Sequence, residues 1–593
     1  MLRNLFLASL LCWTPIFAAD DVVAKAMRDE LARSMKKLQL ENLLKPYFIA
    51  YREVEMDTCS VTASFGAVVT NYCNPPADKR PNSRQMTVEV RVGDYTRDNT
   101  NFYAFRMQAA GVVRLTNGLS VPVDDNYDEI RRELWLATDS AYKQALDVYA
   151  KKKGALENRS RTDDAPDFSK EAVVKDAELS PVMQWKSAEI TAAVKALSLL
   201  FRQSPGIADS EVRFNGQNLL IRYLNSEGSE FSRQSTLASY QVSANAQALD
   251  GMPVTDFEIA HGRTIAELPS LEEMTKRIGA MQVRLENTRS AAVGVRYTGP
   301  VLFEGQAAAE FVAQGLGNGV VGMPRLVVDD ARFENVFASN NGSFSDKVGG
   351  KVLPEFLSLT DDPTARQLSG QPLLGGYQVD DDNVKARPIK LIERGILKAM
   401  LNSRALIPGA TVSTGSRRGA SAVPSNLIVS SEKGMPADQL KAELIRLVKA
   451  RNKEYGILVR RIGNPMLSFA LNRGRTIVMT SAGAGAVDIE PLLEAYKVFP
   501  DGRQELVRNL RVSGMTLGTY KDIVASSDSQ YIYTAPFRLK RVSPAMLGGP
   551  QMNSGPLLVS VATPSLLIED MSLQPPSGEI PNLPFTKHPF FDK

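Results

Sequence analysis

Histidine and cysteine are scarce in this chain of 593 residues, which contains two histidines and three cysteines. The histidines, His261 and His588, lie far apart, and neither has a second histidine at the spacing with which one helix holds a metal ion. No cysteine follows Cys73. Because structural and catalytic zinc sites rely mainly on these two residue types, the shortage argues against a zinc site formed by this chain alone.

An excess of one charge is also lacking. The chain has 70 lysine and arginine residues against 66 aspartate and glutamate residues, a formal net charge of +4, and the two signs are interspersed. Proteins that bind nucleic acid usually carry a basic patch or stripe. We therefore predict no nucleic-acid partner.

No apolar run of membrane-spanning length follows the first 20 residues, so we predict no membrane span. The opening stretch MLRNLFLASLLCWTPIFAAD has one basic residue, Arg3, then an apolar run over residues 5–17 and two small residues, Ala18 and Ala19. This order is typical of a secretory signal peptide. We expect residues 1–19 to be removed and the mature protein to be soluble and exported, most simply into a bacterial periplasm.

Two cysteines remain once Cys12 leaves with the signal peptide. Cys59 and Cys73 each lie seven residues from Gly66 in the stretch CSVTASFGAVVTNYC. If Phe65 and Gly66 form a tight turn, the two arms pair as a hairpin and the cysteines face each other. An oxidising compartment then permits a disulfide, which we predict. Two free buried thiols are the alternative.

Hydrophobic periodicity predicts an α+β fold, with an α+β N-terminal half and a mainly β C-terminal half. Apolar residues at helical spacing predict helices over residues 21–45, 126–156, 187–203, 270–291 and 436–452. Residues 157–170 contain almost no apolar side chain and are expected to form an exposed connection. We divide the mature chain into an N-terminal domain of residues 20–285, a C-terminal domain of residues 286–572 and a proline-rich tail of residues 573–593.

The stretch GNGVVG, Gly317 to Gly322, matches the pattern G-x-G-x-x-G. The dinucleotide-binding motif requires a strand before the glycines and a helix after them. Here a helix is predicted before them, and Pro324 and the strand-like RLVVDD follow. We interpret the stretch as a glycine-rich loop.

Two acidic clusters, Asp361–Asp362 and Asp380–Asp382, could hold a hard cation through oxygen ligands. Neither has EF-hand spacing, and turn formation or helix capping is the simpler interpretation. Arg417 and Arg418 follow a glycine-bearing loop and have forked donors suited to a carboxylate or a backbone carbonyl. A solvent-exposed arginine pair is the alternative.

Several segments together resemble the TldD/PmbA family, whose members act as metallopeptidases or as their partner subunits. The segments are VEVRVGDYTRDNTNF, YLNSEGSEFSR, YTGPVLFEGQAAAEFV, LLGGYQVDDDNVKARPIKLIERGILKAMLNSR and GSRRGASAVPSNLIV. The resemblance implies an N-terminal α+β domain with an antiparallel sheet and a barrel-like, mainly β C-terminal domain. It further implies that catalytic members hold a metal through H-E-x-x-x-H and a distant cysteine, and that they pair with a homologous subunit lacking the motif. The two subunits would enclose a cavity in which extended peptides are cut.

Set against that motif, VLFEGQAAAE places Glu304 at the first histidine, Gly305 at the catalytic glutamate and Ala309 at the second histidine. The resemblance therefore implies no catalytic residue, no metal and no cofactor in this chain, and zinc in a catalytic partner. Arg417, Arg418 and Asn426 are candidate contacts to a peptide or to the partner.

The function expected from this resemblance is that of an exported, non-catalytic subunit of a peptide-processing complex. Its partners would be a homologous TldD-like subunit carrying H-E-x-x-x-H and an extended peptide substrate. Two alternatives stay open: an active peptidase with an unconventional metal site, and a stand-alone protein for peptide binding or envelope assembly.

Overall fold

The computed structural model describes residues 21–73, 81, 83–103, 119–157, 165–329, 344–467, 489–540, 557–576, 583, 586 and 588–591. The expected signal peptide of residues 1–19 lies outside this set. No helix within the described ranges is long and apolar enough to cross a membrane.

The N-terminal half is built on an eight-stranded sheet whose long central strands are antiparallel. Its strands are β1 (Pro46–Ser64), β2 (Ala67–Asn71), β3 (Ser83–Val92), β5 (Leu119–Ser120), β6 (Lys175–Leu179), β7 (Ile207–Asn225), β8 (Glu230–Gln247) and β9 (Pro253–Gly262). The order is β5-β3-β1-β7-β8-β6, with β2 beside β1 and β9 beside β8, and only β6 pairs in parallel. The predicted antiparallel sheet is confirmed.

Four α-helices of this half fall within the described residues. They are α1 (Val22–Lys37), α2 (Tyr127–Glu157), α3 (Ser187–Leu199), which continues as a 3₁₀ turn (Leu200–Gln203), and α4 (Leu271–Ser290). The prediction that the first helix continues to residue 45 is wrong. Leu38 is extended, and the later leucines Leu40, Leu43 and Leu44 are 38–50% exposed, so little apolar burial would stabilise further helical turns.

The C-terminal half is mainly β, as predicted, and centres on a 13-stranded mixed sheet. Its strands are β10 (Ala292–Val293), β11 (Tyr297–Phe303), β13 (Leu357–Asp361), β16 (Ile389–Glu393), β17 (Ile396–Leu397), β20 (Asn426–Ser431), β21 (Gly434–Met435), β22 (Gly456–Ile462), β23 (Leu492–Val498), β24 (Gln504–Arg508), β25 (Arg511–Ser513), β26 (Ile523–Pro536) and β27 (Leu558–Gln574). β27 pairs with β11, β20, β25 and β26 and forms the middle of the sheet. Closure of the sheet into a barrel stays a prediction.

Short elements complete this half. They are β4 (Phe102–Tyr103) paired with β12 (Val327–Val328), β14 (Gln367–Leu368) with β15 (Gln371–Pro372), β18 (Arg417–Arg418) with β19 (Ser421–Ala422), and the helices α5 (Gly305–Phe311), α6 (Ala437–Ala450) and α7 (Leu517–Lys521). Because β4 precedes the whole C-terminal half in sequence, its pairing with β12 joins the two halves.

The division expected between residues 285 and 286 falls inside α4. The buried side chains of this helix pack into the N-terminal core. The chain joins the C-terminal sheet at Ala292, where β10 pairs with β24. At the other end, β27 continues to Gln574, just past the expected start of the tail.

The predicted cysteine hairpin is confirmed. β1 and β2 pair antiparallel around Phe65 and Gly66, whose positive φ angles of 47° and 85° close the turn. The turn brings Cys59 and Cys73 opposite each other, with their Cα atoms 4.0 Å apart, and the two form a disulfide. Both side chains are buried in the N-terminal core.

The prediction of a glycine-rich loop at Gly317–Gly322 is wrong for its first residues. A π-helical turn (Val312–Gly317) continues α5, and the helix extends through Gly319. A Cβ atom added at Gly319 would lie 2.8 Å from Cε2 of Phe344, and one added at Gly322 would lie 2.6 Å from Cδ1 of Ile407. These glycines therefore permit close packing, which is a structural role.

The connection expected to be exposed at residues 157–170 is buried where its C-terminal part is described. Phe168 is 1% exposed, and its ring centroid lies 3.6 Å from the Arg91 guanidinium and 3.9 Å from that of Arg404. Contacts of one aromatic ring with two guanidinium groups thus bury this part of the segment, although most of its residues are polar. Residues 158–164 lie outside the described part of the chain.

Candidate functional site

The motif positions lie where a buried strand leads into a helix. β11 pairs with β22 on one side and β27 on the other, and α5 begins directly after Glu304. Gly305, the first helical residue, has a φ of 53°, a left-handed conformation that favours glycine over any residue with a Cβ atom. A buried strand, a turn at Gly305 and an alanine-rich helix therefore surround the motif positions.

The side chains at these positions do not fit the zinc ion that the resemblance implies for catalytic members. Glu304 is 27% exposed, and its Oε2 atom lies 3.6 Å from Nε of Arg460. Gly305 offers no side-chain donor, and Ala309 is fully buried in the apolar core. Across the described ranges, no three His, Cys, Asp or Glu residues are placed to hold a metal ion together.

The two histidines do not form a site either. The ring of His588 lies 5.3 Å from that of Phe65. Both ring nitrogens of His261 are buried and lack a hydrogen-bond partner within the described structure. Burial lowers the pKa of the His261 imidazole to about 4, so the ring is neutral at neutral pH.

A row of buried polar side chains runs along the helix instead. Gln306, Glu310, Gln314 and Asn318 recur every four residues, and each is at most 6% exposed. We call these four residues the polar row. Sequence reasoning missed it, although its signal was present: polar residues at i, i+4, i+8 and i+12 in an otherwise apolar helix share one face.

Glu310 is the ionisable member of the polar row. It accepts hydrogen bonds from Nε2 of Gln314 at 2.8 Å and from Nδ2 of Asn464 at 2.9 Å, and the Tyr533 hydroxyl also bonds to it. Burial raises the pKa of the Glu310 carboxyl to about 7. The side chain borders a small pocket together with Asn464, Tyr533 and Arg538.

The amides of the polar row anchor the backbone that follows β22. Gln306 accepts from the Ile462 N–H at 2.9 Å and donates to the Ile462 carbonyl at 3.0 Å. Gln314 donates to the Gly463 carbonyl at 2.7 Å and accepts from the Glu490 N–H at 2.8 Å. The row thus positions one protonatable group beside a pocket, and the described residues around it include no set of metal ligands.

A second concave region lies between the two halves. This cleft has a volume of about 190 Å³, and we call it the arginine cleft. Its lining includes Glu178, Gln217, Leu219, Arg233, Leu237 and Arg263 from the N-terminal half, and Arg366, Gly375, Gly376, Tyr377, Asp380, Asp381, Arg417, Arg418, Leu557 and Leu558 from the C-terminal half.

Buried ion pairs join the two halves beneath the cleft. Asp381 binds Arg52 of β1 at 2.9 Å and Arg233 of β8 at 3.0 Å. Within the C-terminal half, Asp382 binds Arg417 at 2.5 Å. Because these carboxylates already bind guanidinium groups, the cluster acts as a charged clasp.

The turn interpretation of the acidic clusters is confirmed at two positions. Asp380 accepts hydrogen bonds from the backbone N–H groups of Asp382 and Val384, at 2.9 and 2.8 Å. Asp362 likewise accepts from the N–H groups of Thr364 and Ala365. Such Asx turns stabilise tight bends of the chain.

Arg417 and Arg418 are not a solvent-exposed pair. Arg417 is 7% exposed and binds Asp382, whereas Arg418 donates through Nη1 to the Pro424 carbonyl at 2.7 Å. One arginine therefore holds a carboxylate and the other a carbonyl, the two acceptors that the forked donors suggested. Both side chains line the arginine cleft.

Asn426 is fully buried, and its side chain hydrogen-bonds to the backbone of loops, one of which lines the cleft. Its Nδ2 atom donates to the carbonyls of Asp362 and Ala365, and its Oδ1 atom accepts from the Gly375 N–H at 3.1 Å. A contact of Asn426 with a peptide would therefore be transmitted by the loop at Gly375, which lines the cleft.

Residues 296–575 match the family described as the PmbA/TldA metallopeptidase C-terminal domain. A metalloprotease of Methanothermobacter thermautotrophicus is 26% identical over 203 residues, which cover 34% of this chain and 40% of that protein. A metalloprotease of Methanocaldococcus jannaschii is 34% identical over 77 residues, covering 13% of this chain and 16% of that protein. The matched parts span less than half the length of either relative.

Solved structures share the fold over almost the whole chain. A candidate modulator of a DNA gyrase from Thermotoga maritima superposes with a TM-score of 0.56 at 14% identity, covering 93% of this chain and 99% of that one. TldE from Thermococcus kodakarensis superposes with a TM-score of 0.54 at 13% identity, covering 92% and 99%. At such identities the likeness concerns the fold, and it extends to both halves.

Proposed function

We propose, from the match of residues 296–575 to the PmbA/TldA metallopeptidase C-terminal domain, that the chain is the non-catalytic subunit of an exported peptide-processing complex. Its partner is a homologous TldD-like subunit that carries H-E-x-x-x-H. That partner holds the zinc ion and cuts an extended peptide, and the present chain completes the cavity in which the peptide lies.

The motif positions carry this proposal. A water molecule that attacks a peptide bond needs a metal to lower its pKa and a base to accept its proton. Glu304 lies beside Arg460, and Gly305 and Ala309 have no donor atoms. The strand–helix frame is thus retained while the groups that perform the chemistry are missing.

One observation favours catalysis by this chain as the second candidate function. Glu310 is a buried carboxyl with a near-neutral pKa beside a pocket, a combination common among general acids and bases. Its oxygen atoms, however, already accept hydrogen bonds from Gln314 and Asn464. We therefore prefer a structural role for Glu310 and a non-catalytic role for the chain.

Co-expression with the motif-bearing homologue of the same organism tests the proposal. We expect a stable heterodimer that cleaves unstructured peptides and contains about one zinc ion, whereas the isolated chain, dialysed and analysed for metals, contains none. Changing the first motif histidine of the homologue to alanine should abolish cleavage. Glu304→Ala in the present chain should lower cleavage less than tenfold.

Three results would contradict the proposal in distinguishable ways. A loss of several orders of magnitude in the Glu304→Ala complex, with the heterodimer intact, would show that this chain performs chemistry. About one zinc ion bound per isolated chain would revive the unconventional metal site. Failure to associate with the homologue would favour the stand-alone role in peptide binding or envelope assembly.

A further inference from the structure

The arginine cleft contains more guanidinium groups than its carboxylates neutralise. Five arginines line it, against the three acidic residues Glu178, Asp380 and Asp381. Two of the lining arginines pair with lining carboxylates: Arg233 with Asp381 at 3.0 Å and Arg366 with Glu178 at 2.5 Å.

Asp380 does little to neutralise the remaining arginines. Its two carboxylate oxygens accept hydrogen bonds from backbone N–H groups, including that of Arg417 at 2.9 Å. Burial raises the pKa of the Asp380 carboxyl well above its ordinary value, which favours the neutral form. Arg417 itself binds Asp382, which is not part of the lining.

Arg263 and Arg418 form no ion pair with any carboxylate among the described residues. Arg263 donates through Nη2 to the Leu373 carbonyl at 2.6 Å, and Arg418 donates through Nη1 to the Pro424 carbonyl at 2.7 Å. Both side chains are half-buried, and burial lowers the pKa of the Arg418 guanidinium. Asp381 and Asp361 attract the Arg418 guanidinium from a distance, but neither forms an ion pair with it. A sheltered guanidinium without a direct ion pair is unfavourable, and a carboxylate bound to it would offset that cost.

The walls of the cleft add apolar surface next to these donors. Leu219 and Leu237 contribute it from the N-terminal half, and Leu557 and Leu558 from the C-terminal half. A ligand that suits the lining therefore combines a negative group with an apolar portion. A planar carboxylate matches the fork of a guanidinium better than a spherical anion does.

We propose that the arginine cleft binds a carboxylate of a peptide through Arg418, with Arg263 as a second donor from the opposite half. Because the two donors come from different halves, the ligand also bridges the N-terminal and C-terminal halves. The inference rests on the proposed function only in taking a peptide as the ligand. A C-terminal carboxylate and an acidic side chain share the required chemistry.

Fluorescence anisotropy on the full mature chain, or on its heterodimer, tests the proposal with labelled peptides of one apolar sequence. One pair of peptides differs only at the C-terminus, which is a free carboxylate in the first and an amide in the second. In the other pair both C-termini are amidated, and an internal glutamate in one peptide is replaced by glutamine in the other. We expect the free acid or the glutamate peptide to bind at least tenfold more tightly than its neutral counterpart. The peptide whose affinity exceeds that of its neutral counterpart shows whether the bound carboxylate is C-terminal or a side chain.

Two variants and a matched control make the assignment specific. Arg418→Gln and Arg263→Gln should each weaken binding of the preferred peptide at least tenfold and leave the neutral peptide unaffected. Arg446→Gln is the control, because Arg446 is exposed on α6, pairs with Glu443 and does not line the arginine cleft. Thermal unfolding of each variant checks the fold. If Arg418→Gln does not fold, the result for Arg263→Gln decides.

Equal affinities for charged and neutral peptides would overturn the proposal, as would unchanged binding in both arginine variants. Neither result affects heterodimer formation or zinc content, which test the non-catalytic role separately. A chain that binds no peptide of either kind, yet forms the active heterodimer, would refute the carboxylate site and leave the proposed function in place.

Discussion

Oε1 of Glu310 accepts a hydrogen bond from Nδ2 of Asn464 at 2.9 Å, although 154 positions separate the two residues in sequence. Glu310 follows β11 and Asn464 follows β22, and these two strands pair in parallel. Their ends therefore meet at the same edge of the sheet. The bond fixes a carboxyl group in the interior at that edge, and its protonation is tied to folding.

Replacing Glu310 should change how stability depends on pH. Burial raises the pKa of this carboxyl from 4.5 to about 7, so between these values the folded state keeps a proton that the unfolded state has lost. The free energy of unfolding of the wild type therefore falls as pH rises through this window, by at most about 3 kcal/mol from Glu310 alone. Glu310→Gln keeps an acceptor and removes the titration. Urea unfolding from about pH 5 to about pH 7.5 should show a shallower decline in the variant.

Glu53 and Asp361, whose pKa values burial raises to about 8 and about 7, add declines of the same sign to both proteins. Only the difference between wild type and variant therefore reports on Glu310. If the free energy of unfolding changed with pH equally in the wild type and in Glu310→Gln, the Glu310 carboxyl would titrate normally in the folded protein.

Arg417→Ala should destabilise the chain strongly. The substitution leaves the buried Asp382 without the guanidinium that binds it at 2.5 Å. Breaking a buried ion pair in this way costs about 3–5 kcal/mol. Arg394→Ala removes a pair with Glu355 whose side chains are 61% and 71% exposed, and should cost below about 1 kcal/mol. Similar denaturation midpoints for the two variants would contradict the clasp.

Gly315→Ala should destabilise the C-terminal half through overpacking. A Cβ atom at this position would lie 2.1 Å from the hydroxyl oxygen of Tyr520, whose side chain is fully buried. We expect a loss of about 1–3 kcal/mol in the free energy of unfolding. Gly279→Ala in α4 is the control, since nothing lies within 4 Å of the added Cβ atom, and it should stabilise by roughly 0.5–1 kcal/mol. A neutral Gly315→Ala would mean that the helix can shift away from α7.

Thiol labelling of the denatured, unreduced mature protein should detect no free cysteine, because Cys59 and Cys73 are bonded. Changing both residues to alanine opens a link across 14 positions, which lowers the free energy of unfolding by about 3 kcal/mol through the freedom gained by the unfolded chain. Two labelled thiols per chain would refute the disulfide in the native state.

The elements that sequence predicted well are those whose own pattern decides their structure. α6 has a clear apolar stripe within the predicted residues 436–452, and the cysteine hairpin is set by two residues equidistant from a turn. α1 ends early because the side chains of its last predicted turns bury little apolar surface. Local spacing carries no information about such burial.

The site was harder to predict because it is assembled from distant segments. The strand and helix around Glu304 could be aligned with a motif, so their structure was foreseeable. The arginine cleft joins residues from Glu178 to Leu558, and no local pattern reports that Arg263 and Arg418 share it. The burial of Arg417 likewise depends on Asp382, 35 positions away.

The central position of β27 bears on when the C-terminal half can fold. Tyr297 of β11 pairs with Leu573 of β27, and β20, β25 and β26 pair with the same strand. Ribosomal synthesis delivers β27 after all of its partners, so the sheet cannot be completed before β27 has been made. Contacts of such long range form slowly, and until then apolar strands remain exposed to aggregation. For the proposed exported protein this delay is useful, because a polypeptide that has not yet folded can be threaded through a translocation channel.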